Sequence, residues 1–279
     1  MTTKKKSFEV HGHRGARAIY PENTLESFRY ALGEGADAVE VDVALTSDKV
    51  AILIHDSVLS ATHYQWKDAT PLGDHHSKLV KDLSFSEVQK LDAGILAHTE
   101  FPKQKRLPGA SIPTLEDFVK LMMSESDSAI LNIEIKTHPI VHEATLDPED
   151  FIDVILGILH RYKVPRERVL FQSFDPRPLL ILKGREPLWK VSFLVDAWSD
   201  DVPELAVEMG FDAVSPRWDL LNHDVAKSLR DAGLGVYVWT ANRSEDWKTL
   251  SEIGVDAIIT DDPASCLAFR NAADKSNKL

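Results

Sequence analysis

The side chains whose types and spacing suit chemistry are His13, Arg14, Glu40, Asp42, His55, Glu134 and Lys136. Glu40 and Asp42 alternate with Val39, Val41 and Val43, so one face of an extended segment is acidic and the other apolar. Glu134 stands between Asn132 and Lys136 in the same pattern, with Leu131, Ile133 and Ile135 on the opposite face. A strand covered by helices is usually apolar on both faces, and like charges on one face repel each other. Two readings answer that cost. Either the acidic face is half exposed and solvated, or a divalent cation is bound, for which carboxylate oxygens are suitable ligands. Carboxylates repeated on neighbouring strands favour the cation, Ca2+ or Mg2+.

Histidine exchanges protons near neutral pH, and a pair lets one take a proton while the other gives one. Arg14 and Lys136 supply fixed positive charge for an anionic group, arginine in a geometry suited to phosphate oxygens. Together with a divalent cation, this set fits attack on a phosphodiester, where charge on the non-bridging oxygens must be stabilised. One histidine near a strand end is more often structural than catalytic. The pairing of His13 with His55 beside the carboxylates points the other way. No serine or cysteine sits in a nucleophile motif.

Elements must bring these residues together. Residues 8–11 read as a short strand ending in His13-Arg14-Gly15, where glycine permits a sharp turn. Asn23 reads as the N-cap of a first helix, with Glu26 at the capping-box position and Gly33 and Gly35 as its stop. Residues 38–45 form the alternating strand. Only residues 46–49 separate it from the apolar run 50–54, too few for a parallel crossover, so that run folds back as a hairpin. The return brings His55 to about the level of Glu40. Residues 57–113 lack regular periodicity apart from a helix at 84–91 capped by Ser84, and a segment of that length reads as a lid or an insertion.

After a helix capped by Thr114, strands and helices alternate to the end of the chain. Setting the fold-back strand aside leaves eight candidate parallel strands with helical crossovers. The fold expected is therefore α/β, a (β/α)8 TIM barrel in one domain over residues 1–279, with an inserted segment at about 57–113 after the hairpin that follows strand two. An open doubly wound sheet is the alternative, but no glycine-rich nucleotide loop supports it. Chemistry in such barrels sits at the C-terminal ends of the strands, where the named residues converge. Gln172, Ser173, Ser215, Thr240, Asp261 and Asp262 reach the same rim and are expected to serve shape, packing and helix capping. Trp239, with Phe174, is expected to wall a substrate pocket.

Composition narrows the function classes. With 43% hydrophobic and 27% charged residues the chain reads as an ordinary globular protein. A net charge of −12 argues against a nucleic-acid partner and requires any phosphate-bearing substrate to meet a locally positive site. The single cysteine, Cys266, leaves no internal disulfide. Lys4, Lys5 and Lys6 are followed by no apolar leader segment, and no run approaches ~18 apolar residues. A cytoplasmic protein without stable membrane association, acting on a small molecule as a monomer or homodimer, is expected.

His13-Arg14-Gly15, Pro21-Glu22-Asn23-Thr24, Glu40-Val41-Asp42-Val43, His55-Asp56, Glu134-Ile135-Lys136 and the closing run at 254–263 resemble, in that order, the glycerophosphodiester phosphodiesterase family. The likeness runs from His11 to about Pro263 and includes residues 83–94 and 112–115. It implies a (β/α)8 barrel and hydrolysis of glycerophosphodiesters to sn-glycerol 3-phosphate and an alcohol. It also implies one divalent cation on Glu40, Asp42 and Glu134, His13 and His55 as the acid/base pair, and Arg14 and Lys136 on the phosphate. The leading alternative is a phospholipase C/D-like or lysophospholipase D enzyme acting on lipids. That enzyme would want an apolar rim or a basic membrane-facing surface. A non-catalytic phosphate-binding protein and a metal-dependent lyase or aldolase barrel are further alternatives, and the last leaves the second histidine unexplained.

Overall fold

The computed structural model of the chain describes residues 7–276, so the lysine run at 4–6 lies outside the described residues. The chain enters through β1 (Glu9–Gly12), α1 (Leu25–Glu34), β2 (Ala38–Leu45) and β3 (Ala51–Leu53). A segment with β4 (Gln65–Trp66), α2 (Phe85–Val88) and β5 (Leu91–Asp92) follows. Alternation then begins with α3 (Leu115–Glu125), β6 (Ile130–Ile135), α4 (Pro148–Arg161), β7 (Val169–Ser173) and α5 (Pro176–Arg185). It continues through β8 (Lys190–Val195), α6 (Val202–Glu208), β9 (Ala213–Pro216) and α7 (His223–Asp231). It ends with β10 (Gly235–Val238), α8 (Ser244–Ile253), β11 (Ala257–Thr260) and α9 (Pro263–Ser276).

The strand order β1-β11-β10-β9-β8-β7-β6-β2-β3, together with a β1–β2 pairing, closes a parallel barrel of eight strands. The ninth, β3, runs antiparallel to β2 as the four-residue connection requires. Chain entry and exit meet in the β1–β11 pair, where Glu9 faces Ala257 and Gly12 faces Thr260. This is the (β/α)8 fold expected from the sequence.

Alternation in β2 and β6 sorts side chains between two environments. Val39, Val41, Val43, Leu131 and Ile133 are fully buried in the apolar layer shared with the helices. Glu40, Asp42 and Asn132 are equally buried, but on the barrel's inner face. The β2–β6 register sets Glu40 opposite Asn132 and Asp42 opposite Glu134, so the acidic rows of the two strands are neighbours. Solvation of a half-exposed strand is thereby excluded.

Two elements differ from the sequence expectation. The first helix is capped by Thr24, whose side chain accepts from the Ser27 amide, not by Asn23. Asn23 instead holds a left-handed backbone (φ 53°), and its side chain is engaged elsewhere. Gly35 ends the helix in the left-handed conformation, while Gly33 lies within it. In the segment after the hairpin, Ser84 and Glu87 form the expected capping box, but the helix stops at Val88. That segment is held by its own apolar cluster, in which Ile52 and Ile54 of the hairpin pack with Leu83, Val88, Leu91 and Ile112.

Candidate active site

The loop after β1 is shaped by close approach. Gly15 has φ +88°, and a Cβ there would lie 2.4 Å from Ser27 Oγ. At Gly12 a Cβ would lie 2.1 Å from the Gly15 carbonyl oxygen. The tight path leaves Arg14 with φ 49°, and its amide donates to Glu40 Oε2 at 2.7 Å. A left-handed non-glycine residue is costly and persists where surrounding contacts hold it.

His13 and His55 both line one cavity of about 370 Å³ at the C-terminal rim of the barrel, together with Arg14, Glu134, Phe174 and Trp239. Each imidazole has a carboxylate on Nδ1: Asp261 Oδ1 lies 2.6 Å from His13, and Asp56 Oδ1 lies 2.7 Å from His55. Burial raises the Asp261 carboxyl, but His13 and Arg17 outweigh it and hold it below the usual carboxylate range. The hydrogen bond from His55 lowers Asp56 in the same way. Ionised carboxylates accept, so each Nδ1 carries the proton and each Nε2 is left with a lone pair. Burial also pushes the His13 imidazole below its ordinary range, against the upward pull of Asp261. The extension of the β2–β3 register puts His55 across from Val41, one residue from the expected level of Glu40.

Ligand oxygens of Glu40, Asp42 and Glu134 all lie within 4.8 Å of one another. Burial, Asp42 and Glu134 push the Glu40 carboxyl well above the usual carboxylate range. Burial acts likewise on Asp42, but Arg14, His55 and Lys136 outweigh it and hold that carboxyl low. Lys136 Nζ donates to Glu134 Oε1 at 2.7 Å and lies 3.5 Å from Asp42 Oδ1. Burial lowers this lysine, but Glu134 and Asp42 prevail and hold it above its ordinary value. Arg14 donates to Glu22 at 2.8 Å, and its Nε lies 3.1 Å from Asp42 Oδ2.

The residues fit a hard cation. Asp42 Oδ1 is buried and accepts no hydrogen bond. A buried carboxylate oxygen that accepts no hydrogen bond and has only Lys136 Nζ at 3.5 Å, beside two further carboxylates, is a costly arrangement that a hard divalent ion would relieve. With all three carboxylates ionised, Glu40, Asp42 and Glu134 against Arg14 and Lys136 leave one negative charge in excess, and the upward push on Glu40 reflects the cost of that excess, which a divalent ion would relieve.

The structure also brings in side chains that the sequence reading set aside. Asn23 Nδ2 donates to Asp42 Oδ2 at 2.9 Å, so the residue read as a helix cap orients a carboxylate. Asp261, read as packing or capping, is the partner of His13, and Asn242 Nδ2 braces its other oxygen at 2.7 Å. Asp262 does cap, accepting from the Ser265 amide. Gln172 reaches toward Glu40 at 3.5 Å, and Ser215 accepts from Ser192 or donates to it at 2.7 Å. Trp239 and Phe174 meet edge to face with centroids 5.2 Å apart, and the Trp239 indole donates to the Ser215 carbonyl. In the sequence Asp261 is marked only as a rim residue and as part of the closing run at 254–263.

Glu22, His63 and His98 also bring ligand atoms within 4.8 Å of one another. The rings of His63 and His98 are stacked at 17°, so their in-plane lone pairs run side by side instead of converging. Arg17 moreover donates to Glu22 at 2.7 Å and approaches His98 Nε2 at 3.3 Å. A cation is therefore unwelcome there.

A barrel whose rim unites two carboxylate-anchored imidazoles with buried acids and a lysine–arginine pair is that of a phosphoester hydrolase. The sequence profile of the glycerophosphoryl diester phosphodiesterase family matches residues 13–265, and the chain belongs to that family. A glycerophosphodiester phosphodiesterase of Caldanaerobacter subterraneus is 30% identical over 92% of this chain and 96% of its own length. One of Bacillus altitudinis is 25% identical over 94% and 98%. A solved structure from Silicibacter pomeroyi DSS-3, carrying the same family designation, superposes with a TM-score of 0.89 at 27% identity, covering 96% of this chain and 95% of that one. Among the described residues no helix is long and apolar enough to cross a membrane.

Proposed function

We propose that this chain hydrolyses glycerophosphodiesters to sn-glycerol 3-phosphate and an alcohol, with His13 and His55 as the acid/base pair. The observation that carries the reading is the pair of imidazoles lining one cavity, each with a carboxylate on Nδ1, beside the Glu40–Asp42–Glu134 cluster. One histidine Nε2 accepts the proton of the attacking hydroxyl as the new P–O bond forms. The other imidazole, protonated, delivers its proton to the alkoxide as the old P–O bond breaks. Because both act through Nε2, Asp261 and Asp56 hold the tautomer and carry the charge of whichever ring is protonated.

Glu40, Asp42 and Glu134 are the residues that would hold a divalent cation, Ca2+ or Mg2+. Such an ion, when bound, neutralises charge on the phosphoryl oxygens. Arg14 and Lys136 bind the phosphate with the donors that their carboxylate partners leave free. Trp239 and Phe174 wall the substrate pocket. The attacking hydroxyl belongs to water or to the substrate's own glycerol, and isotopically labelled water with trapping of any cyclic phosphate separates these routes. The partner is a small molecule, and a single cysteine, itself buried, accords with a cytoplasmic enzyme that needs no disulfide.

The test is release of sn-glycerol 3-phosphate from a panel of soluble glycerophosphodiesters by the wild type, His13→Ala and His55→Ala. The wild type should turn over, and each variant should lose about 10²- to 10⁴-fold in kcat. Turnover that survives either substitution unchanged contradicts the assignment.

A further inference from the structure

Lys136 stands where the β2–β6 ladder ends, its amide donating to the Val43 carbonyl at 3.0 Å. Beyond it the chain leaves the sheet, and Ile140 is 84% exposed. This loop folds on His138, whose Nδ1 accepts from the amides of Ile140 and Val141 at 3.1 and 2.8 Å. The His138 carbonyl accepts in turn from Arg177 Nη2 at 2.9 Å. One residue before Lys136, the Ile135 carbonyl accepts from Ser173 Oγ at 2.8 Å. Bonds from the β7–α5 unit thus grip the chain on both sides of Lys136. Ser173 Oγ also accepts from the Asp175 amide at 3.1 Å, so the two grips share one frame.

Arg177 is itself held. Its Nε donates to both oxygens of Asp175, at 2.9 and 3.0 Å, and its Nη2 donates to Oδ2 at 2.6 Å. Burial raises the Asp175 carboxyl, but the bonds from Arg177 outweigh it and hold it below the usual carboxylate range. The start of α5 does not need this guanidinium, because Asp175 Oδ1 already caps it by accepting from the Arg177 amide at 3.0 Å. A planar fork seated on a buried carboxylate is a rigid arm, and it reaches into the loop of the neighbouring βα unit.

We propose that Arg177, seated on Asp175, is a positioning residue that holds the loop after β6 so that the Lys136 ammonium meets the phosphate of the substrate. The inference rests on the phosphate-binding role proposed for Lys136 and adds to it the residue that aims it. A lysine is a point charge on a flexible stem, so its aim depends on the backbone that carries it. Its Nζ lies 2.7 Å from Glu134 Oε1 and 3.5 Å from Asp42 Oδ1, and a small displacement of the loop alters its distance to both and to any phosphate between them and the histidines.

The test is a cycle of wild type, Arg177→Ala, Lys136→Met and the double variant. Each is assayed on sn-glycero-3-phosphoethanolamine and titrated calorimetrically with sn-glycerol 3-phosphate, which needs no turnover. Arg177→Ala should raise KM and the Kd of glycerol 3-phosphate together, by about 10-fold, with kcat within about 3-fold of wild type. In the Lys136→Met background the same substitution should change Kd by less than about 2-fold, because the charge it aims is gone. Arg177→Lys keeps the cation beside Asp175 but lacks the fork that serves carboxylate and carbonyl at once, so it should keep the wild-type Tm and still bind glycerol 3-phosphate more weakly. An equal loss in both backgrounds, a lowered Tm with unchanged Kd, or full recovery of affinity in Arg177→Lys overturns the proposal. Wild type that binds glycerol 3-phosphate without turning over the diester removes the phosphodiesterase reading, and the calorimetric cycle still judges Arg177. Wild type that does neither overturns both.

Discussion

An imidazole is useful in catalysis only if its proton is on the right nitrogen, and here two carboxylates decide that for both histidines. Asp261 is the sharper test because it is buried and doubly engaged, by His13 and by Asn242. Asp261→Asn keeps the shape but offers an amide donor that can turn the ring over. Its kcat should fall about 10- to 100-fold with KM little changed, measured across pH, and an unaltered kcat would deny it a positioning role. Glu22 acts on stability instead. Burial raises its carboxyl, but Arg14 and Arg17 outweigh that and bring it from 4.5 down to about 2. A depressed pKa stabilises the folded chain fully above the unfolded value of 4.5, and that contribution is lost as pH falls through about 2. Glu22→Gln should thus lower Tm at pH 7, by a margin that shrinks toward zero near pH 2. A margin independent of pH would contradict this. At this scale the sequence was only partly legible. Glu40, Asp42 and Glu134 declared themselves by breaking an apolar alternation. Asn23 and Asp261 did not, because each stands beside a helix start and satisfies the local rule for a cap, while its real partner is distant in sequence.

The elements explain why the loop after β1 is so constrained. Gly15 combines a left-handed backbone with contact on Ser27, so that α1 can pack directly under the turn that carries His13 and Arg14. Gly15→Ala places a methyl where no atom fits and should cost about 1–3 kcal/mol, read as a Tm lower by several degrees. A Tm within a degree of wild type would show that the turn relaxes freely. The strands were readable because period two leaves a strong mark: β2, β7 and β11 begin and end where alternation or apolar runs do. The fold-back of β3 followed from a connection too short for anything else. The segment at 57–113 resisted reading for the opposite reason. Its order comes from a private apolar cluster of residues far apart in sequence, such as Ile52 with Leu91 and Ile112, and no periodicity announces such packing.

In the whole molecule, closure of the barrel is what gathers a sequence pattern into the candidate reaction centre. Pairing of β1 with both β11 and β2 brings the first histidine motif against the closing Asp261 and against Glu40. A chain of net charge −12 then contains a buried acidic cluster that, fully ionised, carries one negative charge more than its adjacent cations. On the reading proposed above, a divalent ion held there would reverse the sign of the cluster and favour an anionic phosphodiester. The most direct measurement is turnover of a soluble glycerophosphodiester by the wild type after exhaustive chelation, followed by titration with Ca2+ and with Mg2+. The buried carboxylates predict that activity falls to background on chelation and returns with at least one of the two ions. Full turnover in excess chelator would mean that Glu40, Asp42 and Glu134 serve some other purpose and that the account of the site is wrong.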